Sequence, residues 1–214
     1  MSRPLPILCG AFLLAGSMHA GIIVYDSTGQ ASNGADSLTR GALYDSFSTG
    51  GNSGTLSELV LLLDGDQTSA GSIAVGLYAD SSISPGALIT TLGSLNDSSL
   101  TAGLSLVTVT LGTEPALSAG TRYWIGLVGT SSTGHWSYTS DTSGVGVNGE
   151  FASNFTGTFP NNPDGGYQME VELTTPEPSS LIPGAGALAI LAAFLRRRAS
   201  AVGRGRPASA TAVR

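Results

Sequence analysis

Residues 167–173 read Tyr-Gln-Met-Glu-Val-Glu-Leu, apolar and polar by turns. Only an extended strand, whose successive side chains point to opposite faces, gathers Tyr167, Met169, Val171 and Leu173 on one side. The same period recurs along the chain. Residues 72–79 place Ile73, Val75 and Leu77 on one face, and residues 123–128 form a second apolar strand. Residues 56–63 are almost continuously apolar, which predicts a central strand. Shorter strands are expected at 22–25 (an edge), 43–47, 87–92 and 135–139, with 27–40 as a polar loop. Turn clusters separate them at 49–54, 64–66, 84–86 and 118–120. Within 104–111, Leu104 and Leu106 share one parity while Val107, Val109 and Leu111 share the other, so a β-bulge is expected there. About eight to ten such strands predict an all-β fold, an antiparallel two-sheet sandwich of jelly-roll or immunoglobulin-like kind.

The charges divide the chain. There is no lysine, and between residues 21 and 175 only Arg40 and Arg122 face fourteen carboxylates, a net charge of about −12. Such a surface repels phosphate backbones, so nucleic acid is not an expected partner. Six of the nine arginines stand at or after Arg196. The single cysteine, Cys9, lies in an N-terminal apolar stretch, which leaves residues 21–173 without disulfides and dependent on an apolar core.

Residues 1–20 have the plan of a secretory signal peptide: Arg3, an apolar centre and small residues before Gly21. Cleavage after Ala20 or after Ser17 fits the pattern, and either removes Cys9. At the other end, residues 174–180 form a Pro-rich linker holding Pro176, Glu177 and Pro178. Residues 181–198 then form an apolar helix closed by Arg196, Arg197 and Arg198. The seventeen uncharged positions 179–195 span roughly 25 Å as a helix, the short end of what a bilayer needs. The three arginines act as a membrane stop.

This ordered set resembles the PEP-CTERM sorting signal of Gram-negative bacteria that make extracellular polysaccharide. The resemblance implies recognition by a membrane protease-transpeptidase, an exosortase. It further implies transient anchoring in the inner membrane and release to the cell surface or extracellular matrix. The chain departs from that pattern by continuing through residues 199–214, expected to be a disordered basic cytoplasmic tail. Most of residues 40–173 resembles a bacterial surface domain of the choice-of-anchor type, variety R. Asp64-Gly65-Asp66, the run from Gly71 to Tyr78, Ser84-Pro85-Gly86, the run from Leu117 to Ile125, and that from Gly165 to Met169 carry that likeness. It implies an exported β-rich module, with no catalytic residues to carry over.

No constellation for catalysis stands out, and the protein is not expected to be an enzyme. Gly144-Val145-Gly146-Val147-Asn148-Gly149 has the letters of a dinucleotide fingerprint, but no helical period follows to hold a pyrophosphate. It reads as a Gly-rich β-loop. A hydrolase, the least favoured reading, would have to use His135, with Asp141 as its acid. No cofactor is expected. Ca²⁺ is the only ion with a case, through loop aspartates Asp64, Asp66, Asp80, Asp97, Asp141 and Asp164. The main alternative function is a carbohydrate-binding module for extracellular polysaccharide, with Trp136 and Tyr138 as glycan contacts; Trp124, between apolar neighbours, reads as core.

Overall fold

The computed structural model describes residues 19–67 and 70–176. It contains β1 (His19–Asp26), β2 (Gly34–Ser37), β3 (Leu43–Ser48), β4 (Gly54–Asp64), β5 (Ser72–Asp80), β6 (Pro85–Asn96) and β7 (Ser105–Thr108). There follow β8 (Ala116–Leu117), β9 (Arg122–Thr130), β10 (His135–Thr139), β11 (Phe151–Asn154), β12 (Gly157–Pro160), α1 (Asn161–Asp164), β13 (Gly166–Tyr167) and β14 (Met169–Pro176). The signal peptide through residue 18, Glu177, Pro178, the apolar run and its arginines, and the basic tail lie outside the described residues. Among the described residues no helix is long and apolar enough to cross a membrane.

The strands form two antiparallel sheets. One runs β1-β14-β4-β10-β13, with β2 on β10 and with β7 and β8 on β4; the other runs β12-β11-β3-β9-β5-β6. As its apolar run predicts, β4 is central: Leu61 pairs with Met169 on one side and Val107 on the other. The inward residues of both sheets make one core. Leu59, Leu61, Leu63, Met169, Val171 and Leu173 meet Leu43, Phe47, Ile73, Val75, Leu77, Ile125 and Leu127, all fully buried. Removing each such side chain from water contributes about 1.5–3 kcal/mol, which is how a domain without disulfides can hold together.

Five expectations change. Residues 27–40 are not a plain loop, because β2 pairs with β10 from His135↔Ser37 to Tyr138↔Gly34. A 3-10 turn then follows, with Ser37 Oγ accepting from Thr39 N–H. The segment Gly-Ala-Asp-Ser carries no apolar alternation, so its strand character comes from backbone pairing alone. The hairpin after β5 turns at Ser82 and Ile83, not at Ser84-Pro85-Gly86, and Pro85 already belongs to β6. Both turn residues have positive φ (53° and 69°), the backbone of a two-residue hairpin loop, here without the usual Asn or Gly to announce it.

The expected bulge in 104–111 is absent. Val60↔Thr108 is followed in register by Val109 N–H donating to Leu59 O at 2.9 Å. The phase conflict is settled by exposure: Val109 is buried, whereas Leu106 keeps 59% of its surface. The strand expected at 167–173 is interrupted at Gln168, where β13 stops and β14 begins. Finally, β14 continues as strand to Pro176, past Thr174 where the linker was expected to start.

Candidate functional site

Along β10, Trp136 and Tyr138 share the inward face, as period two requires. Their surroundings differ. Trp136 is fully buried, its Nε1 donates to Gln168 O at 2.9 Å, and its ring stacks on Tyr167 with centroids 4.7 Å apart. The expectation that Trp136 contacts a glycan is therefore corrected, since neither face of its indole is accessible. Tyr138 lies one step nearer the end of the sandwich, half-buried, where the inter-sheet space opens. Trp124 is also buried, as expected of core, but it faces the other way. Its register partners are Ser46 and Tyr78, and Asp80 accepts its Nε1–H at 2.8 Å.

At that open end the sheets enclose a cavity of about 250 Å³ lined by Asp36, Tyr138, Ala152, Asn154, Phe159, Asp164, Gly165 and Tyr167. The first sheet supplies Asp36 from β2, Tyr138 from β10 and Tyr167 from β13; the second supplies Ala152 and Asn154 from β11 and Phe159 from β12. Close packing fixes Tyr138: a Cβ on Gly34 would fall 2.6 Å from its hydroxyl and one on Gly165 3.4 Å from its ring. Both positions have backbone φ outside the ordinary L-residue range, at 158° and 98°, and the second lies in the region that favours glycine.

The polar wall is organised around Asp36. Its Oδ2 accepts from Tyr167 Oη–H at 2.6 Å and from Asn154 Nδ2–H at 3.1 Å. Burial, then the Asp36 carboxylate, push the Tyr167 phenol far above its ordinary value, so it remains a donor at any pH the fold tolerates. Asn154 is held in turn by the β11–β12 hairpin, where its Oδ1 accepts from Thr156 N–H at 2.8 Å. Asp36 Oδ1, the Asp164 carboxylate and the Tyr138 hydroxyl make no hydrogen bond to described residues, and all three residues line the cavity.

The other sequence candidates do not converge on it. Of the loop aspartates, Asp64 binds His135 Nδ1 at 2.7 Å, Asp80 binds Trp124, and Asp97 accepts from Ser132 Oγ–H and Thr133 N–H. The Ser143 side chain, and then its backbone N–H, which donates to Asp141 Oδ1 at 2.9 Å, hold the Asp141 carboxyl below the usual range. Among the described residues no group of three His, Cys, Asp or Glu side chains is placed to hold a metal ion. His135 pairs with Asp64 and not Asp141; its side chain is 41% exposed, and no described hydroxyl hydrogen-bonds its ring. The Gly144–Gly149 stretch is a β-loop, with Asp26 N–H donating to Val145 O and Val147 buried in the core. Sequence reasoning missed Asp36 and Asn154, which lie far apart in the chain, and it offered Asp164 only as a Ca²⁺ candidate.

No protein-family model matches the chain, and a search of curated proteins finds no match.

Proposed function

We propose that this protein is a non-enzymatic, exported bacterial surface or extracellular-matrix module, sent out by residues 1–20 and sorted by its C-terminal segment. The observation that carries the reading is the ordered tail: Pro176-Glu177-Pro178, an uncharged apolar run, then Arg196, Arg197 and Arg198. An exosortase is the partner this tail calls for, with the inner membrane as a transient station. The folded body is compatible with that role. It is cysteine-free with a continuous apolar core, and its last strand ends at Pro176, where the proposed recognition sequence begins. The described fourteen strands exceed the roughly seven to nine of an immunoglobulin domain.

The test is the mass of the protein recovered from the surface of its host. Wild type should lack the segment after about Glu177, and a Pro176→Ala/Glu177→Ala/Pro178→Ala variant should keep it. An intact tail in both would make residues 181–198 a permanent membrane anchor and end the sorting reading. The hydrolase reading gains nothing from the His135–Asp64 pair, which lacks a nucleophile. The carbohydrate-binding reading is favoured by one observation, the cavity beside Tyr138.

A further inference from the structure

We propose that the cavity at the open end of the sandwich binds one neutral pyranose ring of a saccharide, and discriminates against uronic acids. This rests on the carbohydrate-binding reading but is independent of how the protein is exported. Its walls combine what a sugar presents: apolar C–H faces and a rim of hydroxyls. Tyr138 and Phe159, both half-buried, offer aromatic surface from opposite sheets. Between them stand acceptors in excess: Asp36 Oδ1 and the Asp164 carboxylate have no described partner, and the Tyr138 hydroxyl is also free to bond. The positioning residues are built in. Tyr167 and Asn154 both donate to Asp36 Oδ2, which fixes the carboxylate and leaves its other oxygen available to a ligand hydroxyl.

Size and charge narrow the ligand. About 250 Å³ falls below the roughly 300 Å³ at which drug-sized pockets begin, which suits a single ring. Two carboxylates line the cavity, and no cation answers them. The only arginines among the described residues are engaged elsewhere: Arg40 lies over the Phe155 ring at 3.8 Å, and Arg122 pairs with Glu150 at 2.8 Å. A ligand carboxylate would meet like charge in a partly desolvated site.

The test is a titration of the full chain, in a non-glycosidic detergent, with glucose, galactose, N-acetylglucosamine, glucuronate and choline, followed by ligand-observed NMR. At least one neutral sugar should bind with a dissociation constant on the order of 1 mM, the scale for one small ring. Glucuronate should bind at least about tenfold more weakly. Phe159→Ala, on an edge strand, should abolish neutral-sugar binding with the unfolding midpoint unchanged, and Asp164→Asn should narrow the gap between glucose and glucuronate. Tyr138→Ala is the second aromatic variant; if it fails to fold, Phe159→Ala alone decides. Absence of binding by every neutral sugar would overturn the carbohydrate reading as a whole. Sugar binding unaffected by Phe159→Ala would overturn the site while leaving that reading intact. Glucuronate binding as tightly as glucose would overturn the selectivity, and choline binding more tightly than any sugar would reassign the cavity to organic cations.

Discussion

Two regions of this domain are built from the same three residue types and differ in exposure. At the open end, Asp36 is joined to Tyr167 and Asn154. Inside the core, Asp45 is joined to Asn161, whose Nδ2 also donates to Tyr25 Oη. All three members of the inner set are fully buried. Asp36 is only partly buried, lines the cavity and keeps one oxygen without a hydrogen bond to described residues. Inside, two side-chain oxygens, Asp45 Oδ2 and Asn161 Oδ1, are buried without any partner. Burial and the nearby Glu150 push the Asp45 carboxyl well above its usual range, though the hydrogen bonds from Asn161 and the backbone resist that. An Asp-Asn-Tyr set is thus a ligand-facing arrangement where solvent reaches it. Sealed in, it is a structural joint whose burial favours the neutral carboxyl.

The comparison is broken most severely by Asn161→Ala. That change strips donors from Asp45 and Tyr25 and opens space against Gly166, where Asn161 packs close to the backbone. A loss of about 2–3 kcal/mol in urea unfolding is expected. Next is pH. A carboxyl whose pKa is raised by folding contributes its full stability below its unfolded value, near 3.8, and loses it as pH rises through the folded value. Stability should therefore decline above about pH 4 through this group. Asp45→Asn should flatten that decline, and an unchanged slope would mean that Asp45 is not the titrating group.

At the open end the effects should be smaller. Tyr167→Phe keeps the stack on Trp136 but removes the donor to Asp36, with an expected cost of about 1–2 kcal/mol. The smallest change is Asn154→Ala, expected to move stability by less than about 1 kcal/mol, because water can replace its bond to half-exposed Asp36. If Asn154→Ala matched Asn161→Ala in cost, the distinction between the two regions would fail.

The inner set also shows where sequence reading stops. Asp45 lies in a strand expected from its apolar neighbours Leu43 and Phe47, so the strand is legible. Its carboxylate nevertheless points inward, because Asp45 has the same parity as those two residues. Asn161 comes from the other half of the chain, in a short turn of helix that no periodicity marks. The cavity is likewise assembled from five strands and a helix end, and β2 among them has no apolar pattern. Tyr138 was found because an aromatic on a short strand is conspicuous; Trp136, two residues earlier, looks the same in sequence and is buried.

What the sequence determined by itself is what short-range pattern can encode. Alternation of period two sets β5 and β14, since the pleat sends alternate side chains to opposite faces, and continuous apolar runs set β4 and β9. The acidic surface and the ordered tail are equally local facts of composition. Tertiary structure alone decided which of two conflicting parities in 104–111 faces inward. It also decided which aspartates are sealed and which are open, and where the sheets part to leave a cavity. Those outcomes depend on pairing between residues far apart in the chain, such as Val60 with Thr108 and Asp36 with Tyr167. The energy of such a contact resides in burial and partner geometry, and neither segment carries that information alone.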